Sequence, residues 1–338
     1  MLFMFIASFG GLFIPGAFTQ LFTVNCATLT VQRGDPIVYP GVVSPHVHAV
    51  VGGTAFALTE SNEAAKAANA TTCDKLLDNS NYWQPQLYHQ RNDGRFEIVE
   101  MQGIAAYYIN RACDYAEGRT NCNGMPHARA PPAGLRMVVG NPYLRTYDHS
   151  NPAQRAISHV CLGKENVPDT PHLPTRQCDR LRAETFFPSC WDGNNLDSSD
   201  HKSHMAFPAI GDYNTGVCPK SHPIAILSVF LEFFYDTGAV KDFNRWVWAM
   251  GDATGYGLHG DFLNGWTDQN ALGRAMDTCT GPQGVDAPSC SLNIGPDGPG
   301  RSRRQDIETD APREEVGLNG PLDKLPGDNP VTGEPIRG

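Results

Sequence analysis

The stretch YWQPQLYHQRNDGRFEIVEM, Tyr82–Met101, holds the pattern that decides the fold class. Two short runs rich in aromatic and aliphatic residues lie on either side of RNDG, Arg91–Gly94. The Asp-Gly pair suits the backbone angles of a tight hairpin turn. The stretch therefore predicts two antiparallel strands joined by that turn.

Strand-like runs of the same kind recur along the chain between turn signals: PIVYPG, AAYYI, LRMVVG, ISHVCL, RAETFFP, AILSVFLEFFYD and RWVWAMG. Only two helices are predicted, one capped by Ser61 and one capped by Thr267 or Asp268. The 34 Gly, 26 Pro and 18% charged residues suit a loop-rich β protein. We expect an all-β fold, a β-sandwich resembling a jelly roll, with long disulfide-stapled loops and one or two short helices.

The N-terminal segment resembles a secretory signal. Leu2–Ile14 is apolar but much shorter than the roughly 20 residues of a membrane-spanning helix. Small residues follow at Gly16, Ala17 and Thr19, where a signal peptidase cuts. We expect a signal peptide over 1–19 and a secreted protein, extracellular or cell-wall associated; the alternative is a buried N-terminal helix.

Cysteine usage agrees with export. All ten cysteines follow the expected cleavage point, and no CxxC pair or regular Cys/His spacing indicates a zinc ribbon. In a secreted chain an even number predicts up to five disulfides, whose connectivity the sequence leaves open. Asn69-Ala70-Thr71 is an N-glycosylation sequon, so we expect a glycoprotein.

Composition divides the rest of the chain in two. Residues 20–291 show no internal repeat or linker and predict a single β domain. Residues 292–338 are rich in Pro, Gly and charge, which predicts a disordered tail. Within it Arg301–Arg304 (RSRR) is either a processing site or solvated charge. No apolar terminus suggests a lipid anchor, so we expect no membrane partner.

The charge balance argues against a nucleic-acid partner. The formal net charge is −10, from 36 acidic and 26 basic residues. Proteins that bind nucleic acid present a basic patch, and none stands out before the tail. We therefore expect no nucleic-acid partner.

Three segments concentrate imidazoles and carboxylates. They are RGDPIVYPGVVSPHVHAVVGG, CWDGNNLDSSDHKSHMAFP and GDATGYGLHGDFLNGW, and they hold five of the 11 histidines. On a strand, residues two apart share one face. The candidate catalytic residues are His46, His48, Asp200, His204, His259 and Asp261. Each motif alone is also consistent with turns and satisfied side chains, but their clustering predicts one shared site.

Two chemistries suit such a site. A carboxyl and an imidazole can exchange protons with a glycosidic or ester bond. Alternatively, imidazoles and a carboxylate can hold one divalent metal ion that activates water. The sequence does not decide between them, so the cofactor is undetermined. A copper site at an N-terminal histidine is excluded, because no plausible cleavage near Ala17–Gln20 exposes one.

Aromatic residues beside these segments are candidate sugar platforms, since aromatic rings stack on sugars. Trp83, Trp191 and Trp266 are the candidate substrate-binding residues, although each alone would suit a core position. Lys202 is the fourth candidate substrate-binding residue; it would either polarise a leaving group or pair with Asp200.

Together these motifs resemble the secreted, mainly fungal family called domain of unknown function 1996. The resemblance covers about Cys26 to Cys279 and includes Asp35, Pro36, His46, His48, Trp83, Cys190, Trp191, Asp192, Asp197, Asp200, His201, His204, His259, Asp261 and Trp266. The chain departs from the family pattern at Asn194 (Lys expected), Ser199 (Pro) and Phe207 (Tyr). Asn194 weakens any mechanism that needs a cation there. The resemblance implies secretion and one fold, but no reaction.

We expect a secreted protein that acts on extracellular or cell-wall polysaccharide, with hydrolase-like or lyase-like acid/base chemistry, metal-assisted or not. The alternative is a non-catalytic cell-wall or glycan-binding protein, in which the same polar motifs join long loops. A protein that only binds metal is the third hypothesis.

Overall fold

The computed structural model describes residues 20–163, 168–240, 242, 245–293 and 311–335. The expected signal peptide over 1–19 and the Arg301–Arg304 run lie outside the described residues. The described chain is mostly sheet and loop, with three short helices.

Two antiparallel five-stranded sheets form the body of the fold. The first has the spatial order β1 (Gln20–Cys26), β7 (Met101–Asn110), β17 (Ser228–Tyr235), β11 (Arg180–Phe186) and β10 (Ile157–Leu162). The second has the order β2 (Thr28–Gln32), β3 (His48–Gly52), β4 (Asn81–Pro85), β19 (His259–Leu263) and β9 (Arg136–Gly140).

The two sheets pack face to face through alternate residues of their strands. Tyr82 on β4 meets Tyr108 on β7 with 2.7 Å between the hydroxyls, and Gln84 donates to the Tyr235 hydroxyl at 3.2 Å. Most buried apolar residues of both inner faces belong to one core cluster. This confirms the expected all-β fold, arranged as a sandwich.

Three small sheets extend the sandwich. They are β18 (Trp246–Trp248) with β5 (Leu87–Gln90) and β6 (Phe96–Ile98); β13 (Met205–Ala206) with β12 (Cys190–Trp191) and β16 (Ile224–Ala225); and β14 (Ile210–Asp212) with β15 (Thr215–Val217) and β8 (Ala112–Cys113). The pairing of β5 with β6 confirms the hairpin, and the Arg91 N–H donates to the Arg95 carbonyl across the turn.

Both predicted helices are present. In α1 (Asn62–Lys66) the Ser61 hydroxyl accepts the Ala64 N–H, and in α3 (Gln269–Thr278) the Asp268 carboxylate accepts two N–H groups. The short α2 (Pro152–Arg155) was not predicted, because a single turn capped by Asn151 has too few residues for helical periodicity. A 3₁₀ turn covers Gly284–Asp286.

Five disulfides confirm the expectation from cysteine usage. Each joins cysteines that are neighbours in sequence order: Cys26–Cys73, Cys113–Cys122, Cys161–Cys178, Cys190–Cys218 and Cys279–Cys290. All ten cysteines are therefore bonded. Such a bond set fits an extracellular protein.

The C-terminal segment corrects the predicted disordered tail. Residues 311–335 pack against the domain: Leu322 pairs with Phe96, and Thr332 with Asp252. Val316 and Leu325 are buried in a cluster around Tyr88. The prediction was wrong here because two well-placed apolar residues and backbone pairing suffice to anchor a segment that is polar on average.

Leu325→Ala tests this anchoring. Leu325 is 1% exposed, so its truncation leaves a cavity and lowers the free energy of unfolding by about 2–4 kcal/mol. Leu318 in the same segment is 63% exposed, and Leu318→Ala should change that free energy by less than about 0.5 kcal/mol. Urea denaturation measures both. Equal, small effects would mean that the segment does not stabilise the domain.

Candidate functional site

The outer face of the second sheet carries the first and third sequence segments. Asp261 on β19 lies opposite Trp83 on β4, and Trp83 lies opposite Val50 on β3. His48 on β3 lies opposite Pro85 on β4. Continuing the β4–β19 register by two residues sets His259 on the other side of Pro85. The two imidazoles therefore flank Pro85 of the central strand.

Three imidazoles converge at this place. Their ring centroids are 4.4 Å apart for His46 and His48, 4.9 Å for His46 and His259, and 5.9 Å for His48 and His259. The Nε2 atoms of His46 and His259 are 3.0 Å apart. The structure thus brings together three of the six predicted catalytic residues, from segments more than 200 positions apart in sequence.

Backbone carbonyls fix the tautomers of two of these rings. His48 Nδ1 lies 3.0 Å from the Gly34 carbonyl, and His259 Nδ1 lies 3.0 Å from the Gly257 carbonyl. A carbonyl oxygen only accepts, so both Nδ1 atoms carry the proton. In the neutral rings both Nε2 atoms keep a lone pair, and His46 Nε2–H donates to His259 Nε2. The buried Nε2 of His48 has no hydrogen-bond partner among the described residues.

Burial keeps the three rings neutral. Each is at most 5% exposed, and loss of hydration is the largest cause lowering each pKa. The pKa values of His46 and His48 lie well below the usual range, and the neighbouring imidazoles lower them further. The pKa of His259 falls to about 4. Neutral imidazole is the form that binds a metal ion.

This cluster fits a metal ion. One ligand nitrogen from each ring lies within 4.8 Å of the other two. Metal bonds of about 2.0–2.1 Å would hold two nitrogens roughly 3.0–3.4 Å apart, close to the His46–His259 spacing. Histidine ligands typically donate their second N–H to a backbone carbonyl, as His48 and His259 do. For an ion to bind, His46 must carry its proton on Nδ1 instead.

Asp261 lies on the same face, two residues after His259. It is 1% exposed, and neither carboxylate oxygen has a hydrogen-bond partner among the described residues. Burial raises the pKa of Asp261 well above its usual range; the charge of Asp35 adds to the rise, and that of Lys202 opposes it. Burial therefore favours the protonated, neutral form of Asp261, which is able to donate a proton.

Lys202 joins this buried group to a surface pocket. Its Nζ donates to the Gly140 carbonyl at 2.5 Å, and Gly140 lies opposite His259. The pocket has a volume of about 230 Å³ and is lined by Lys202 and by the stacked rings of Tyr147 and Tyr256, whose centroids are 5.8 Å apart. Lys202 thus lies between solvent and the polar cluster.

The family described as Domain of unknown function (DUF1996) matches residues 35–266, more than half of the 338-residue chain. The chain belongs to this family. No curated protein and no solved structure matches. The match includes the histidine cluster, Asp261 and Lys202.

The DUF1996 domain does not bring Asp200 and His204 into this cluster. Asp200 is exposed and accepts the Lys202 and Ser203 N–H groups at 3.1 and 2.9 Å, which hold its pKa well below the usual range. His204 Nε2–H donates to the Arg136 carbonyl at 2.7 Å, and its Nδ1 contacts the Ser198 hydroxyl at 2.9 Å. Arg136 is four residues from Gly140, or roughly 13 Å along β9. Both residues make hydrogen bonds in the loop that carries Lys202, which corrects the prediction that they converge with His46, His48 and His259.

The three predicted sugar platforms are not open rings. Trp266 is fully buried and its indole N–H donates to the Tyr108 hydroxyl at 2.8 Å. Trp83 is also fully buried. Trp191 is half-buried, and its N–H donates to the Asn195 carbonyl at 2.6 Å. In the DUF1996 domain Trp83 and Trp266 are packing residues, which corrects their predicted role. Lys202, the fourth predicted substrate-binding residue, lines the pocket beside Tyr147 and Tyr256.

Two buried polar residues were missed, Gln32 beside the cluster and Glu60 beside Arg136. Gln32 lies opposite His48 across β2 and β3, and both its amide atoms are buried without a partner among the described residues. Glu60 is 3% exposed, and both its carboxylate oxygens are also buried without a hydrogen-bond partner among the described residues. Neither lies in a motif, and a polar residue in a loop or at a strand end usually faces solvent, so no sequence signal marked them.

Glu60→Gln tests how burial affects the charge of the Glu60 carboxyl group. Burial raises the pKa of Glu60 to about 8 from 4.5, against the charge of Arg136. Between these pH values the folded domain holds a proton that the unfolded chain releases. The contribution of Glu60 to stability is therefore greatest at low pH and falls as pH rises, by up to about 1.4 kcal/mol per pH unit.

The glutamine variant lacks this titration. Its free energy of unfolding relative to the wild type should increase from pH 5 to pH 8, measured by urea denaturation. Glu63→Gln, at an exposed position of α1, is the control and should show no such trend. A constant difference for Glu60→Gln over this range would contradict the assignment.

Proposed function

We propose that this DUF1996 protein is a secreted enzyme that acts on extracellular or cell-wall polysaccharide by metal-assisted hydrolysis or elimination. The convergence of His46, His48 and His259 carries the proposal. Among the residues that the structure describes, three neutral histidines converge without a fourth protein ligand. They resemble a catalytic metal site, in which one position stays open for water or substrate.

The residues around the cluster supply the remaining chemistry. A bound divalent ion would polarise an oxygen or lower the pKa of water. Asp261, whose burial favours the protonated form, is the candidate general acid for a leaving oxygen. Lys202, beside Asp261 and in the pocket wall, would attract an anionic sugar group or stabilise developing negative charge. The Tyr147–Tyr256 stack would contact sugar rings in the same pocket.

Several features support an extracellular location. The five disulfides persist in an oxidising compartment. Asn69 of the glycosylation sequon is exposed. In the part of the chain that the structure describes, no helix is long and apolar enough to cross a membrane.

A non-catalytic wall or glycan-binding protein is the second candidate. The observation that favours it is burial: the three histidines are at most 5% exposed, as in a structural metal site. In that case the cluster would join the loops before β3 and β19, and no bond would be cleaved.

A polysaccharide panel separates the two candidates. The metal-loaded protein is incubated with neutral and acidic polysaccharides, and new reducing ends and unsaturated products are measured. We expect cleavage of at least one polymer, lost on chelation and restored by added metal. If no polymer is cleaved while metal binding is normal, the enzymatic proposal fails and the structural one remains.

A further inference from the structure

The outer face of the first sheet carries a row of aromatic rings. Phe230 on β17 lies opposite Tyr107 on β7 and Phe186 on β11. Ring centroids are 5.5 Å apart in both pairs. Tyr213 stands edge-on against Phe186, with centroids 5.7 Å apart. Tyr107, Phe230 and Tyr213 are only partly buried, so the row keeps exposed ring surface.

The next row of the same face is polar. Glu184 on β11 lies opposite Glu232 on β17. The Tyr107 hydroxyl donates to Glu232 at 3.0 Å, and the Ser158 hydroxyl donates to Glu184. The Arg182 guanidinium contacts both carboxylates, at 2.6 Å from Glu184 and 3.3 Å from Glu232. These contacts hold the polar groups in fixed positions beside the aromatic row.

Both rows line one cavity of about 300 Å³. Its ionisable lining includes three carboxylates, from Asp169, Glu184 and Glu232, against the guanidinium groups of Arg111 and Arg182. The charges nearly cancel, which disfavours strongly anionic and strongly cationic ligands. The volume is at the lower end of the roughly 300–1,000 Å³ of small-ligand pockets.

We propose that this cavity is a binding site for a neutral sugar unit of a glycan chain. The aromatic row would contact the C–H face of the sugar ring, while carboxylates accept hydrogen bonds from its hydroxyls and Arg182 donates to them. The cavity lies on the opposite face of the sandwich from the histidine cluster. The proposal therefore goes beyond the metal site and holds whether or not that site is catalytic.

Calorimetric titration of the full chain tests the proposal. The neutral ligands are four hexasaccharides, namely cello-, laminari-, xylo- and chitohexaose, and oligogalacturonate is the charged comparison. We expect at least one neutral oligomer to bind. Phe230→Ala and Glu232→Gln should each weaken that binding about tenfold or more. Tyr107→Phe keeps the ring, removes the hydroxyl and should weaken binding less than Phe230→Ala.

Two controls make the result specific. Phe234→Ala removes a ring from the same strand face outside the cavity, where Arg180 covers it at 5.5 Å, and should leave affinity unchanged. His259→Ala should also bind normally, which separates this site from the metal site. Thermal unfolding checks that every variant is folded. No binding of any neutral oligomer, or equal affinity of the Phe230 and Phe234 variants, would overturn the proposal.

Discussion

Replacing His259 by alanine should reduce the metal content of the purified and reconstituted protein from about one ion per chain to less than about a tenth. The reason is that, in the described part of the chain, three protein nitrogens converge on the site, so the loss of one leaves two ligands for the ion. Altering even an outer-shell partner typically costs 10- to 100-fold in metal affinity, and removing a ligand should cost more. Elemental analysis after dialysis measures the content.

Stability provides a second readout of the same change. An ion that binds only the folded state adds about 2.7 kcal/mol when its concentration is 100 times Kd. Chelation should therefore lower the unfolding temperature of the wild type and not that of His259→Ala. His149→Ala, at an exposed position outside the cluster, is the matched control and should behave like the wild type. Full metal content in His259→Ala would refute the ligand assignment.

Asp261→Asn should lower turnover of the cleaved polysaccharide by about 100-fold or more while the metal content stays normal. Loss of a general acid typically costs 10²–10⁴ in rate. Asparagine keeps the shape of the side chain but has no acidic proton to donate. Asp261 lies on the face of β19 that carries His259, but it is not one of the three converging ligands. Comparing Asp261→Asn with His259→Ala should therefore separate the loss of catalysis from the loss of metal binding.

Asp200→Asn is the comparison for this experiment. Asp200 accepts backbone N–H groups within its own loop, so its replacement should affect loop stability and leave metal content unchanged. Initial rates at saturating substrate measure the effect on turnover. If Asp261→Asn were as active as the wild type, the acid would have to be another group.

Local spacing made part of the site predictable from the sequence. His46 with His48, and His259 with Asp261, are pairs two residues apart, and strand geometry places such pairs on one face. The structure places His48 of the first pair, and both His259 and Asp261 of the second, on the outer face of the second sheet. The strand-like run that begins at Tyr82 was likewise predicted, and it forms β4, which is buried at all five positions.

Strand order could not be predicted in the same way. His48 and His259 meet only because β3 and β19 both flank β4, a pairing between distant segments. The Asp200–His204 run looked equivalent by composition, yet it forms a loop bonded within itself, and its Lys202 donates to the Gly140 carbonyl beside the cluster. Composition also hid the packing of Leu325, since two buried side chains do not change the average polarity of a long segment.

Anomalous X-ray scattering from crystals of zinc-loaded protein would locate the bound ion. We expect one strong peak about 2.0–2.1 Å from a ring nitrogen of each of His46, His48 and His259. If no peak lies there and the 3.0 Å hydrogen bond between His46 and His259 is intact, these three histidines do not form a metal site.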